Sequence, residues 1–118
     1  MITIRIEKPE DVLQVRRLNK QAFETPAEAN IVDALRSACP SSLSLVAVDK
    51  KHVIGHILFS PVAVDFAGTK IEGMGLAPMA VLQDRQRQGT GSQLVKQGLE
   101  ILQKRGYPFV IVLGHPEY

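Results

Sequence analysis

The chain predicts an α/β (α+β) domain, a mixed and strongly twisted sheet of about five strands flanked by three helices. Three patterns lead there. A short alternating run opens the chain and is followed by two amphipathic stretches. Three apolar runs then follow, joined by short polar turns. Last comes a strand, glycine corner and helix unit over residues 76–105, closed by a β-branched run. With 118 residues, 45% of them hydrophobic and 22% charged, the chain can fill one core but not two, so residues 1–118 read as one domain.

Ile2, Ile4 and Ile6 alternate with Thr3, Arg5 and Glu7 as in a half-buried first strand. Lys8-Pro9-Glu10-Asp11 ends it and supplies a helix start, after which Val12, Val15, Leu18 and Phe23 mark the buried side of the first helix. Thr25-Pro26-Ala27-Glu28 repeats the signal, with Thr25 as cap, Pro26 at the first helical position and Glu28 closing a capping box. Ile31, Val32, Leu35 and Ala38 give the second helix its apolar side, and Cys39 behind them reads as a small buried apolar residue.

Leu43 to Val48 and Val53 to Val64 are strand runs joined through Asp49-Lys50-Lys51, a hairpin turn, and Phe66 to Lys70 makes the next turn. His52 and His56 lack metal-pair spacing and are expected at an exposed edge or face, while Gly55 marks a bulge or a close backbone approach. Pro78 interrupts the apolar run Leu76 to Leu82, which is therefore expected to be a strand with a local irregularity.

The corner Gln86-Arg87-Gln88-Gly89-Thr90-Gly91 precedes a helical pattern with Leu94, Val95, Gly98, Leu99, Ile101 and Leu102 on one face. Missing side chains at 89 and 91 let the backbone bend and let an anion approach main-chain N–H groups at a helix start, where unsatisfied donors favour phosphate. Arg87, with Arg85 near it, adds positive charge beside them. No Gly-Lys-Ser/Thr follows, which excludes a nucleoside-triphosphate P-loop, and Leu94 occupies the place where a dinucleotide loop needs a small residue. Arg105-Gly106-Tyr107-Pro108 stops the helix, and Phe109 to Leu113 reads as a last strand buried on both faces.

Gln-x-x-Gly-x-Gly after a strand containing Met79-Ala80-Val81 resembles the acetyl-coenzyme-A motif of the GCN5-related N-acetyltransferase family, GNAT. The element order matches the N-terminal and central parts of that fold, with its C-terminal helix and last two strands lacking from this sequence. The resemblance implies acetyl-CoA as co-substrate and no metal. Its diphosphate would lie on the backbone of Arg87, Gln88, Gly89, Thr90, Gly91 and Ser92, and its pantetheine arm would pair with Met79 and Val81. It also implies direct attack by an amine of a small molecule or protein, with the early helices on the acceptor side, where Phe23, Glu28 and Asn30 are lining candidates. Glu72 and His115 are candidates for the base, and Tyr118 for the acid that protonates the departing thiolate. The alternative is a shortened relative that binds CoA or a protein without turnover.

The net charge of +2 is small and scattered, and no basic run interleaves with aromatics, so nucleic acid is not an expected partner. No apolar stretch approaches membrane-spanning length, no signal peptide opens the chain and Cys39 is the single cysteine, so a cytoplasmic location is expected. The uncovered last strand is expected to pair with another copy, or to belong to a longer natural product.

Overall fold

The computed structural model describes residues 2–23, 26–39 and 41–112. Its strands are β1 (Ile2–Ile6), β2 (Leu43–Asp49), β3 (His52–Phe66), β4 (Thr69–Val81) and β5 (Val110–Val112), in one sheet of order β1-β2-β3-β4-β5. All neighbours are antiparallel except β4 and β5, which run parallel and are joined through α3 (Thr90–Lys104). Helices α1 (Val12–Ala22) and α2 (Ala27–Ala38) connect β1 to β2. The predicted mixed five-stranded, three-helix architecture is thus present.

Strand alternation separates the interior into two clusters. Leu45, Ile57, Phe59, Met74 and Leu76 pack with Leu94 and Leu102 of α3, whereas Val46, Leu58 and Ala80 pack with Val15 and Leu18 of α1 and Val32 of α2. The sheet is therefore covered by α3 on one face and by α1 and α2 on the other.

Local chemistry accounts for the joints. The β2–β3 hairpin turns at Lys50 and Lys51, both with positive φ, in the conformation that a two-residue hairpin loop requires. Gly55 marks a close approach: a Cβ there would lie 3.2 Å from Leu94 Cδ1 and 3.3 Å from Thr90 Cγ2, so its smallness lets α3 settle on β3. The β3–β4 register shifts between Ile57 and Phe59, opposite Ala77 and Pro78, which is the irregularity that the proline predicts.

Several expectations are corrected. The last strand is not buried on both faces: Ile111 is 38% and Val112 60% exposed, because β5 is the outer strand among the described residues, and Leu113 lies outside them. Helix α2 begins at Ala27, with Pro26 as N-cap rather than first helical residue, and the predicted cap Thr25 lies outside the described residues. That helix buries Ala29 and Val32, while Ile31 is half exposed and Ala38 faces solvent. Cys39 is only partly buried. His56 is the largest departure. It is fully buried, because the first half of β3 is covered on both faces. His52 is exposed as expected.

Candidate active site

A groove of about 1170 Å³ runs along β4, the corner after it and the start of α3, and reaches across to α1 and α2. One wall is the outer edge of β4. Strand β5 pairs with β4 only at Met74, Gly75 and Leu76, so among the described residues Met79, Ala80 and Val81 have a strand partner on one side alone, and Ala77 and Pro78, at the register shift, have none. Such an edge presents main-chain donors and acceptors to an extended ligand.

The corner that follows is held by side chains the motif itself supplies. Gln86 Nε2 donates to the Val81 carbonyl at 3.1 Å, tying the loop back to the end of β4. Arg85 donates to Asp49 at 2.7 Å, anchoring the loop to β2 across 36 positions of sequence. Arg85 is therefore committed to a protein carboxylate, although it also borders the groove. Arg87 has φ +63 and is exposed, and Gly89 has φ +83, the left-handed region in which glycine is not penalised.

Gly89 is the N-cap of α3 and makes no side-chain cap, so the first-turn N–H groups of Thr90, Gly91 and Ser92 face the loop without a capping side chain. The helix ladder starts where Gln93 N–H donates to the Gly89 carbonyl at 3.0 Å. A Cβ on Gly91 would come no closer than 3.4 Å to the protein, at Met79 Cε. The chain could therefore accommodate alanine there, so packing within the protein does not require the glycine at 91. Three uncapped amides, a positive helix end and Arg87 together suit a diphosphate.

Of the residues singled out in the sequence, Met79, Val81, Arg87, Gly89, Thr90, Gly91 and Ser92 border this groove together. Gln88 does not. It turns to a smaller depression of about 220 Å³ on the other side of the loop, against Ile2, Ile4, Gln93 and Gln97. At the far wall Phe23 and Glu28 line the groove with Ile31, whereas Asn30 accepts a 3.0 Å hydrogen bond from Arg16 outside it. Glu72 sits on the exposed half of β4 opposite Ala63, away from the lining residues. His115 and Tyr118 lie outside the described residues. Lys96, Leu99 and Val112 also border the groove and were not singled out. The first two lie on the turns of α3 that follow the glycines, where helical spacing was the signal for them.

Residues 3–116 match the model of the acetyltransferase (GNAT) domain family. The chain belongs to the GNAT acetyltransferases. A GNAT protein of Escherichia coli K12, the uncharacterized N-acetyltransferase YhbS, is 41% identical over 114 residues, covering 96% of this chain and 67% of that protein. Its crystal structure in complex with CoA aligns with TM-score 0.86 at 40% identity, over 98% of this chain and 63% of that one. A GNAT acetyltransferase from Brucella melitensis, solved in complex with acetyl-CoA, aligns with TM-score 0.90 at 38% identity, over all of this chain and 79% of that one. The chain thus spans about two thirds of the length of YhbS. Among the described residues no cluster of His, Cys, Asp or Glu is placed to hold a metal, and no helix is long and apolar enough to cross a membrane.

Proposed function

We propose that this GNAT domain binds acetyl-CoA in the groove and transfers the acetyl group to an amine of a small molecule or a protein. The observation that carries the reading is the juxtaposition of uncapped α3 amides beside Gly91 with an edge of β4, Ala77 to Val81, that has no strand partner on the groove side among the described residues.

The amides of Thr90, Gly91 and Ser92 take the diphosphate, with Arg87 adding charge at its rim. The β4 main chain at Met79 and Val81 pairs with the pantetheine arm as an added strand would. An N–H beside the irregularity at Pro78 polarises the thioester carbonyl, so that negative charge developing on its oxygen meets a fixed donor. The acceptor nitrogen attacks that carbonyl carbon after losing a proton, a C–N bond forms, the C–S bond breaks and the thiolate takes up a proton. Most of the rate then comes from positioning. Charge is distributed to suit: Arg87 and Lys96 border the cofactor end, while Glu28 is the one carboxylate among the described lining residues and stands on the helix pair of the acceptor side. The single cysteine accords with a reducing, cytoplasmic setting.

A second reading, a CoA-binding module without turnover, is favoured by one observation: Glu72 lies away from the groove. Calorimetric titration with acetyl-CoA followed by a thiol-release assay with a panel of amines separates the two. Binding with release supports transfer, binding without release for any amine supports the module, and no binding removes both.

A further inference from the structure

The face of the sheet opposite α3 holds a chain of polar side chains that the acetyl-transfer reading does not use. At its centre is His56, fully buried on β3 directly opposite Ala80, between the two β4 residues proposed to pair with the pantetheine arm. The Asn19 amide nitrogen on α1 donates to the Val15 carbonyl at 3.0 Å and also lies 3.3 Å from His56 Nδ1. An amide NH₂ has only donors, so Nδ1 must be the bare, accepting nitrogen and the ring proton must sit on Nε2. From there the chain continues in one direction. His56 Nε2 donates to Ser44 Oγ at 2.8 Å, and Ser44 Oγ donates to Glu7 Oε2 at 2.8 Å. Arg36 on α2 grips the same carboxylate with Nε at 2.7 Å and Nη2 at 3.0 Å, and extends to Asp33 at 2.8 Å.

The location of this chain decides what it does. Helix α2 packs chiefly on α1 and sends Val32 into the apolar layer against the sheet, and the Arg36–Glu7 pair is its polar link to the end of β1. Both helices carry the acceptor side of the groove, through Phe23, Glu28 and Ile31. We propose that His56 is a positioning residue for that acceptor wall: a neutral Nε2–H imidazole that fixes α1 through Asn19 and α2 through Ser44, Glu7 and Arg36. The proposal rests on the groove being an acetyl-CoA and acceptor site.

The neutral state is part of the arrangement. A proton on Nδ1 would set an N–H against the Asn19 NH₂, two donors face to face, and Asn19 would have to rotate and give up Val15. Its Oδ1 is buried with no hydrogen-bond partner and is the group that would turn inward. Burial pulls the ring's pKa down to about 4, with Glu7 opposing and Arg36 adding to the shift. The other groups that touch the ring, Asn19 and Ser44, carry no charge.

The test uses the full chain, with His56→Phe removing both ring bonds, His56→Gln retaining a donor toward Ser44, and Ser44→Ala cutting only the branch to α2. Nitrogen NMR of the wild-type imidazole is expected to show an unprotonated Nδ1 and a protonated Nε2 from pH 7 to pH 5. An Nδ1–H tautomer overturns the proposal whether or not any variant folds. Hydrogen exchange is expected to speed up in residues 12–22 and 27–38 of His56→Phe and in 27–38 alone for Ser44→Ala, with the α3 amides unchanged. Against an amine found by the acceptor screen, His56→Phe is expected to raise KM about tenfold or more while the dissociation constant for acetyl-CoA stays within about twofold, and His56→Gln to recover most of the loss. Parallel changes in both constants, or no change in KM and exchange, would overturn it. If wild-type protein binds no acetyl-CoA, the site reading fails, and tautomer and exchange still decide the wiring.

Discussion

The two faces of the sheet solve different problems with different materials. Under α3 the interior is apolar, with Phe59, Ile57, Met74 and Leu94 sealed from solvent, and the helix end presents backbone amides without a capping side chain. Under α1 and α2 the apolar layer is shared with a buried histidine, an asparagine and a nearly buried carboxylate, joined in one hydrogen-bonded chain. On the proposed reading the α3 face is the cofactor face and needs a fixed donor array, which glycines and a helix terminus supply without side chains. On the same reading the α1 and α2 face is the acceptor side and needs two helices held at a set distance from the sheet. Directional bonds do this at the cost of burying polar groups, one of which, Asn19 Oδ1, is left without a partner.

Acid is the largest lever on this contrast. His56 ordinarily titrates at 6.5 and here near 4. Between those values the unfolded chain binds a proton that the native state refuses, so stability falls as pH drops through that window. The integrated loss is about 3 kcal/mol. Asp11, whose carboxyl the Arg5 guanidinium holds below its ordinary 3.8, adds its loss only at lower pH. Urea titrations at pH 7 and pH 4.5 measure the loss, and in His56→Gln this step is expected to vanish. An equal step in the variant would move the sensitivity elsewhere.

On the α3 face, Gly98→Ala is expected to destabilise by about 2 kcal/mol. Its Cβ would stand 2.2 Å from Cε2 of the buried Phe59 ring, so the close packing of helix on sheet depends on that missing methyl. Thermal unfolding tests this. A neutral result would mean that the ring has room to retreat.

Gly91→Ala separates folding from binding. Alanine meets only ordinary contacts there and has the better helix propensity, so the melting temperature is expected to hold or rise while acetyl-CoA affinity falls about tenfold, or about 1.4 kcal/mol. Arg87→Ala should have the smallest effect, about threefold in affinity and less in high salt, because its side chain is exposed and screened. Titration at two ionic strengths measures it.

How much was legible follows the same division. The β1 strand, the α3 face from Leu94 to Leu102, the Pro78 irregularity and the glycine corner are local patterns, each set by residues within a turn or two of one another, although Ile6 at the end of β1 is 52% exposed where the alternation has it inward. The partners that complete the site are not local. Asp49 holds Arg85 from 36 positions away and Ser44 meets Glu7 from 37, and no pattern in sequence marks either pair. His56 reads as exposed because a polar residue in a strand usually faces water, and only the covering of both faces of β3 reverses that. The β-branched run at Val110 reads as interior for the converse reason, since composition does not show which strand ends a sheet.

The most direct test of the central claim is an amide NMR titration of the isotopically labelled chain with acetyl-CoA. The binding account predicts saturable shifts concentrated at the N–H groups of Gly89 to Ser92 and of Met79 to Val81, with the amides of β1 and the tip of the β3–β4 hairpin unmoved. Saturable binding that leaves Gly89 to Ser92 unshifted would contradict it.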